Sequence, residues 1–265
     1  MPRKIAAAPA LLALSALALL VAACRPADAP ADASASPAED SARAVVEAAR
    51  RAHGSAVLDR AVVSFTFRGA AYTLRRDGGR FDYARAYADT AGVAVVDRLT
   101  NDGLTRTRAG RPAPLDDRAR ASAETQVNSV AYFALLPYNL ADPAVRLRPL
   151  PDATIRGERY RTVEATFAPE GGGRDFEDRF VYWFHPARHT LDYLAYHFHT
   201  GEGGTRFRVA TNAREVGGAR FADYENHADS ALGARIEDYP ARLGAPTLRR
   251  VSDVVLEGVR VEPIR

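Results

Sequence analysis

Lysine is all but missing from this chain. Of 36 basic side chains only Lys4 is a lysine, and the other 35 are arginine. Cysteine, methionine and tryptophan each occur once. Lys4 and Cys24, the sole amine and the sole thiol, both fall in a leading segment that reads as an export signal. The mature chain therefore has no amine to form a Schiff base, hold pyridoxal phosphate or serve a phosphate loop, and no free thiol nucleophile. Lysine-dependent aldolases, P-loop NTPases, protein kinases and cysteine hydrolases are excluded. There is also no G-x-S-x-G elbow, no G-x-G-x-x-G after a strand and no EF-hand run, which removes the simplest signals for serine hydrolysis, dinucleotide binding and calcium loops. Net charge is small: with Arg3 and Lys4 cleaved away, 34 basic residues face 33 acidic ones. No positive field survives to attract phosphates, so a nucleic-acid partner is not expected.

What is present begins with an address. Arg3 and Lys4 precede an Ala/Leu-rich apolar run from Ile5 to Val21, then Ala22, Ala23 and Cys24. This is the layout of a secretory signal peptide over residues 1–23. The stretch Leu20-Val21-Ala22-Ala23-Cys24 resembles the bacterial lipobox, which implies lipidation of Cys24 and a membrane partner reached through its acyl chains. Without the resemblance, hydropathy supports export alone. Arg25 stands where an aspartate would imply inner-membrane retention, so the expectation leans to the outer membrane. Residues 24–36 are a Pro/Ala/Ser/Asp tether with nothing to bury. Residues 37–265 carry no fixed-period repeat and no second linker, and are expected to form a single domain.

Ser36-Pro37-Ala38-Glu39 predicts a helix start, with a capping serine and proline at the first helical position. The helix is expected to end at His53, with Gly54 just beyond. Short β-rich runs follow at 61–68, 71–76, 80–88, 93–99 and 104–108. A second helix is predicted over 117–136, stopped by Pro137. Further strands are expected at 160–167, 178–185, 191–200, 205–211, 220–224 and 251–261. So many strands, short turns and two helices predict a mainly β (α+β) fold: a curved antiparallel sheet, or half-barrel, wrapped around one or two helices. One sheet face should be buried and the other wet.

Five runs resemble a known family. They are Asn128 to Tyr138 (NSVAYFALLPY), Glu170 to Asp178 (EGGGRDFED), Tyr182-Trp183-Phe184, Asp192 to Tyr196 (DYLAY) and Gly203 to Arg208 (GGTRFR). Together with His53-Gly54 and Asn101-Asp102-Gly103 they look like a domain-of-unknown-function family of bacterial envelope lipoproteins. That resemblance implies no activity. The layout is similar to the LolA/LolB-like half-barrel carriers, which implies an apolar pocket for acyl chains.

Three constellations invite a functional reading. The aromatics Tyr132, Phe133, Tyr182, Trp183, Tyr193, Tyr196 and Phe207 would line an apolar pocket with polar tips at its mouth, or else simply fill a core. Arg206 and Arg208 share a strand face and would hold a lipid headgroup, or else pair across strands with Asp192, Glu177 or Asp178. His197 and His199, with carboxylates from Asp175, Glu177 and Asp178, would hold zinc, and the acidic glycine loop would hold calcium. The competing readings are a polar strand face and a solvated hairpin. His185 and His189 flank a hairpin turn.

The expectation drawn from all this is a lipid-anchored, non-enzymatic envelope domain that needs no cofactor and holds a lipid or small apolar ligand. The rivals are a metal-dependent envelope hydrolase, and a structural or assembly lipoprotein that binds another envelope protein.

Overall fold

Ser36 caps the first helix with its side chain, accepting from the Glu39 N–H at 3.2 Å. The helix, α1 (Pro37–Ala52), buries Ala42, Val46 and Ala49 along one stripe. In this computed structural model residues 36–171, 173, 176–199, 202–229, 231, 233 and 235–264 are described. The leader, Cys24, most of the tether and Asp175 lie outside the described residues. The described residues belong to one compact unit spanning 35–265.

After α1, Gly54 holds a left-handed backbone (φ 62°). A Cβ there would stand 1.9 Å from the Gly218 carbonyl oxygen, so only glycine lets this turn lie against the facing hairpin. The His53 carbonyl accepts from the Arg220 N–H, and His53 Nε2 accepts from the Leu191 N–H at 3.0 Å.

A first sheet is built from β1 (Arg60–Phe67), β2 (Ala70–Asp77), β3 (Arg80–Ala88), β4 (Ala94–Thr100), β5 (Gly103–Arg108) and the two-residue β6 (Arg111–Pro112). Then comes α2 (Asp117–Ala134), capped by the Asp116 side chain, which accepts from the Ala119 N–H at 2.7 Å. A second sheet contains β7 (Val145–Ile155), β8 (Glu158–Phe167), β9 (Arg179–Phe184), β10 (Leu191–Phe198), β11 (Gly204–Val216) and β12 (Ala219–Ala228). A 3-10 turn, Ile236–Asp238, leads into the short α3 (Tyr239–Arg242), and β13 (Arg249–Val254) and β14 (Glu257–Pro263) follow.

The two sheets run β14-β1-β2-β3-β4-β5-β6 and β13-β12-β11-β10-β9-β8-β7, antiparallel throughout. β13 and β14 are separated only by Val255 and Leu256, so one late stretch of chain edges both sheets and seams them together. The seam bends where Asp223 of β12 accepts from the Leu256 N–H at 3.0 Å and pairs with Arg214 at 3.1 Å. Arg214 donates in turn to the Leu256 carbonyl. The expected curved antiparallel architecture is therefore the one observed.

Each sheet carries one helix. The stripe Ala123, Val127, Ala131 and Ala134 of α2 packs on Phe65, Tyr72, Leu74 and Tyr83 of the first sheet. α1 packs on Val145, Leu147, Val163 and Ala165 of the second. In the first sheet the other face is wet, as β2 shows by strict alternation of buried and exposed residues. The second sheet departs from that expectation. Its outer face carries Val181, Trp183, Tyr193, Ala195 and Phe207, and these are covered by Ile236 and Tyr239. β7 also lay outside the predicted strands, because Pro149 and Pro151 break its pattern. As the terminal strand of its sheet it can spare those N–H groups.

Candidate functional site

A cavity of about 790 Å³ opens between α2 and the second sheet, reaching Ala70 and Tyr72 of β2. Its volume suits a drug-sized or single-chain amphiphile, since ligand pockets span ~300–1,000 Å³. A second cavity of about 650 Å³ shares Thr125, Asn128, Tyr132 and Phe167 with the first. Three of these lie on one stripe of α2, opposite the alanines that dock the helix.

The wall is aromatic. Phe133 and Tyr196 lie 5.0 Å apart, Phe180 and Tyr196 5.5 Å, and Tyr132 and Phe180 5.4 Å between ring centroids. The Tyr132 and Tyr182 hydroxyls meet at 2.6 Å and tie α2 to β9. Burial pushes both phenols well above their ordinary range, so both keep their protons. Tyr224 is pushed up to about 12, burial outweighing the opposing Arg208 charge.

Arg208 is the buried charged side chain of this wall. It is 8% exposed. Its guanidinium lies 3.8 Å over the Phe133 ring and 5.2 Å from the Tyr196 centroid, and Nη2 donates to the Tyr196 hydroxyl at 3.0 Å. Nε and Nη1 are buried with no acceptor. The anticipated cross-strand carboxylates are not its neighbours, because Arg208 stands opposite Leu194 and Asn226 in the ladder. Asp192 pairs elsewhere, with Arg188 at 3.1 Å. Arg206 donates to its neighbour's carbonyl and lies 5.1 Å over Phe198.

Of the residues expected to bind a ligand, Tyr132, Phe133, Tyr196, Arg206 and Arg208 line the cavity. Tyr182 is fully buried beneath them. Trp183, Tyr193 and Phe207 are placed elsewhere, in the cluster on the outer face of the second sheet. Strand geometry explains the split, since adjacent residues such as Tyr182 and Trp183 point to opposite faces. The sequence reading passed over Phe167, Phe180, Phe198, Tyr224 and Asn128, which also line the wall. Period-two alternation from Tyr196 would have found Phe198, and from Tyr182 it would have found Phe180.

Asp175 of the expected metal constellation lies outside the described residues, and the remaining members do not form a metal group among those described. The His197 and His199 rings lie 4.6 Å apart, and His199 Nδ1 sits 3.3 Å from Asp178. Among the described residues no group of three or more His, Cys, Asp or Glu could hold a metal ion, Glu177 included. His185 belongs to the opposite end of the strands, edge-on to Tyr160.

Fold and site together define a class: an open, curved antiparallel sheet that cups its helices around an aromatic cavity. Residues 33–254 match DUF6503, a family of unknown function, and the chain belongs to that family. It has no significant match among curated proteins. Among solved structures it is similar to a DUF1329 family protein from Desulfovibrio piger, with 12% identity over 83% of this chain and 92% of that one, at a TM-score of 0.45. A LolA superfamily protein from Nitrosomonas europaea is 10% identical over 84% of this chain and 93% of that one, at a TM-score of 0.43. Likenesses this distant assign the chain no ligand. No helix among the described residues is long and apolar enough to cross a membrane.

Proposed function

We propose that this chain is an envelope lipoprotein, tethered through acyl chains on Cys24, whose domain binds an apolar or amphipathic ligand such as a lipid without transforming it. The aromatic cavity of about 790 Å³ carries this reading. Packed interiors leave few voids larger than a water molecule. An open space of this size, walled by aromatic and polar side chains between a helix and a sheet, is a place for an amphipathic guest. The domain's own apolar surface supplies the affinity, at ~25 cal/mol per Å² buried.

The test uses the Cys24→Ser protein, exported and purified without detergent. Native mass spectrometry is expected to show a retained adduct of lipid mass, released by organic solvent. The delipidated protein is expected to take up the neutral probe N-phenyl-1-naphthylamine with a rise in fluorescence. Ala222→Trp, which fills the cavity from β12, should abolish the uptake while the fold survives. An apo mass with no probe uptake would overturn the reading and turn attention to a protein partner.

A further inference from the structure

We infer that the cavity takes its amphiphile by an anionic group, a carboxylate or a phosphate, which docks against Arg208. This deepens the binding reading above and rests on it.

A guanidinium keeps its charge in proteins. Burying one without a counter-charge is costly, and buried cations are accordingly paired. Arg208 is the exception here: 92% of its surface is covered, and it makes no ion pair among the described residues. Two of its three nitrogens have no acceptor. The Phe133 and Tyr196 rings fix the plane of the group, and Tyr196 occupies the remaining nitrogen. Aromatic faces attract a cation but present no hydrogen-bond acceptor to its edge.

The neighbouring charges have the same sense. Arg68 and Arg206 also line the cavity and make no ion pair among the described residues, whereas Arg85 is engaged by Asp97 and Gln126. Asp178 is the only acidic residue of this wall among the described residues, and it is held by the backbone and ring of His199. A neutral ligand would leave Arg208 uncompensated in the bound state and more deeply desolvated than before. An anionic one supplies the missing acceptors, and arginine matches carboxylate and phosphate oxygens in particular. The aromatic wall then receives the acyl chain.

Displacement of N-phenyl-1-naphthylamine from the delipidated Cys24→Ser protein tests this with matched ligands. Palmitate against hexadecanol reports a carboxylate, and 1-palmitoyl-lysophosphatidate against monopalmitoylglycerol reports a phosphate. At least one anionic member is expected to bind about tenfold or more tighter than its neutral partner, as a charge-assisted bond implies. The pair that shows the larger ratio identifies the source of the anion. Arg208→Gln should bring that ratio to about one by weakening the anionic member, and Arg208→Lys should retain part of it.

Equal affinities within both pairs in the parent protein would overturn the inference, even if neither variant folds. So would a ratio that survives Arg208→Gln. Loss of all probe binding in the parent protein would instead sink the binding reading itself, which keeps the two failures distinct.

Discussion

His53 reads from the sequence as a helix cap, and its backbone N–H does donate to the Ala49 carbonyl at 2.9 Å. Its ring also clasps β10: Nε2 accepts from Leu191, so Nδ1 carries the proton and is buried with no partner. Burial, reinforced by the Arg220 charge and partly offset by Asp192, pulls its pKa from 6.5 down to about 4. The unfolded chain therefore binds this proton more readily than the folded one. The contribution is whole above pH 6.5 and is lost as pH falls from 6.5 through 4. At about 1.4 kcal/mol for each pH unit, the loss amounts to about 3 kcal/mol. Urea unfolding between pH 7 and pH 4 is expected to show this slope, and His53→Gln should flatten it. Next to it, Gly54→Ala combines a left-handed backbone with a collision on Gly218 and should cost ~2 kcal/mol or more in the same assay. The local motif His53-Gly54 was legible as a helix end. The isolation of Arg208 was not, because it depends on which residues stand opposite across two ladders.

Among the elements, both long helices could be read almost to the residue, since Ser36 and Pro37 open the first and Pro137 stops the second by chemistry that acts locally, whereas the four-residue α3 escaped. Strands depended more on context. β7 escaped because prolines are tolerated at a sheet end, a position that only the topology reveals. The clasp on Asp223 was equally hidden: Asn212 and Arg214 from the bulged β11 and the Leu256 N–H from the bend between β13 and β14 converge on one buried carboxylate. Asn212 takes a positive φ of 46° at the bulge that allows this. Asp223→Ala would take the carboxylate from the half-buried Arg214 and leave the buried Leu256 N–H without its acceptor, at a cost of about 2 kcal/mol. Hydrogen exchange should localise the damage to residues 249–263, and unchanged protection there would contradict the role assigned to the clasp.

At the scale of the whole molecule, composition and turn spacing were enough to anticipate a curved antiparallel sheet with helices on its inner side. They did not show that the second sheet is covered outside as well. That cover is short and irregular, with Ile236 and Tyr239 as its anchors, so it has no periodicity to detect. Tyr239 stacks on Phe207 at 5.4 Å, and its hydroxyl meets Thr205 at 2.7 Å. Tyr239→Ala is expected to cost ~3–5 kcal/mol, as for other large buried aromatics. Because it lies across the sheet from the cavity, probe uptake by the folded fraction should be unchanged. Reduced uptake would show that the two faces are coupled. Bound amphiphile should also raise the melting temperature with concentration, as any ligand specific to the folded state does.

The seam has a consequence for how a chain made from its N-terminus matures. β13 and β14 emerge after every other strand described, yet β1 and β12 have no second neighbour until they arrive. A chain emerging in order would carry the open β1 edge for most of its synthesis and the β12 edge for a short span, each a template for pairing with a stranger. The last stretch to appear is thus a closing stitch, and its arrival is the moment at which two half-built sheets become one vessel.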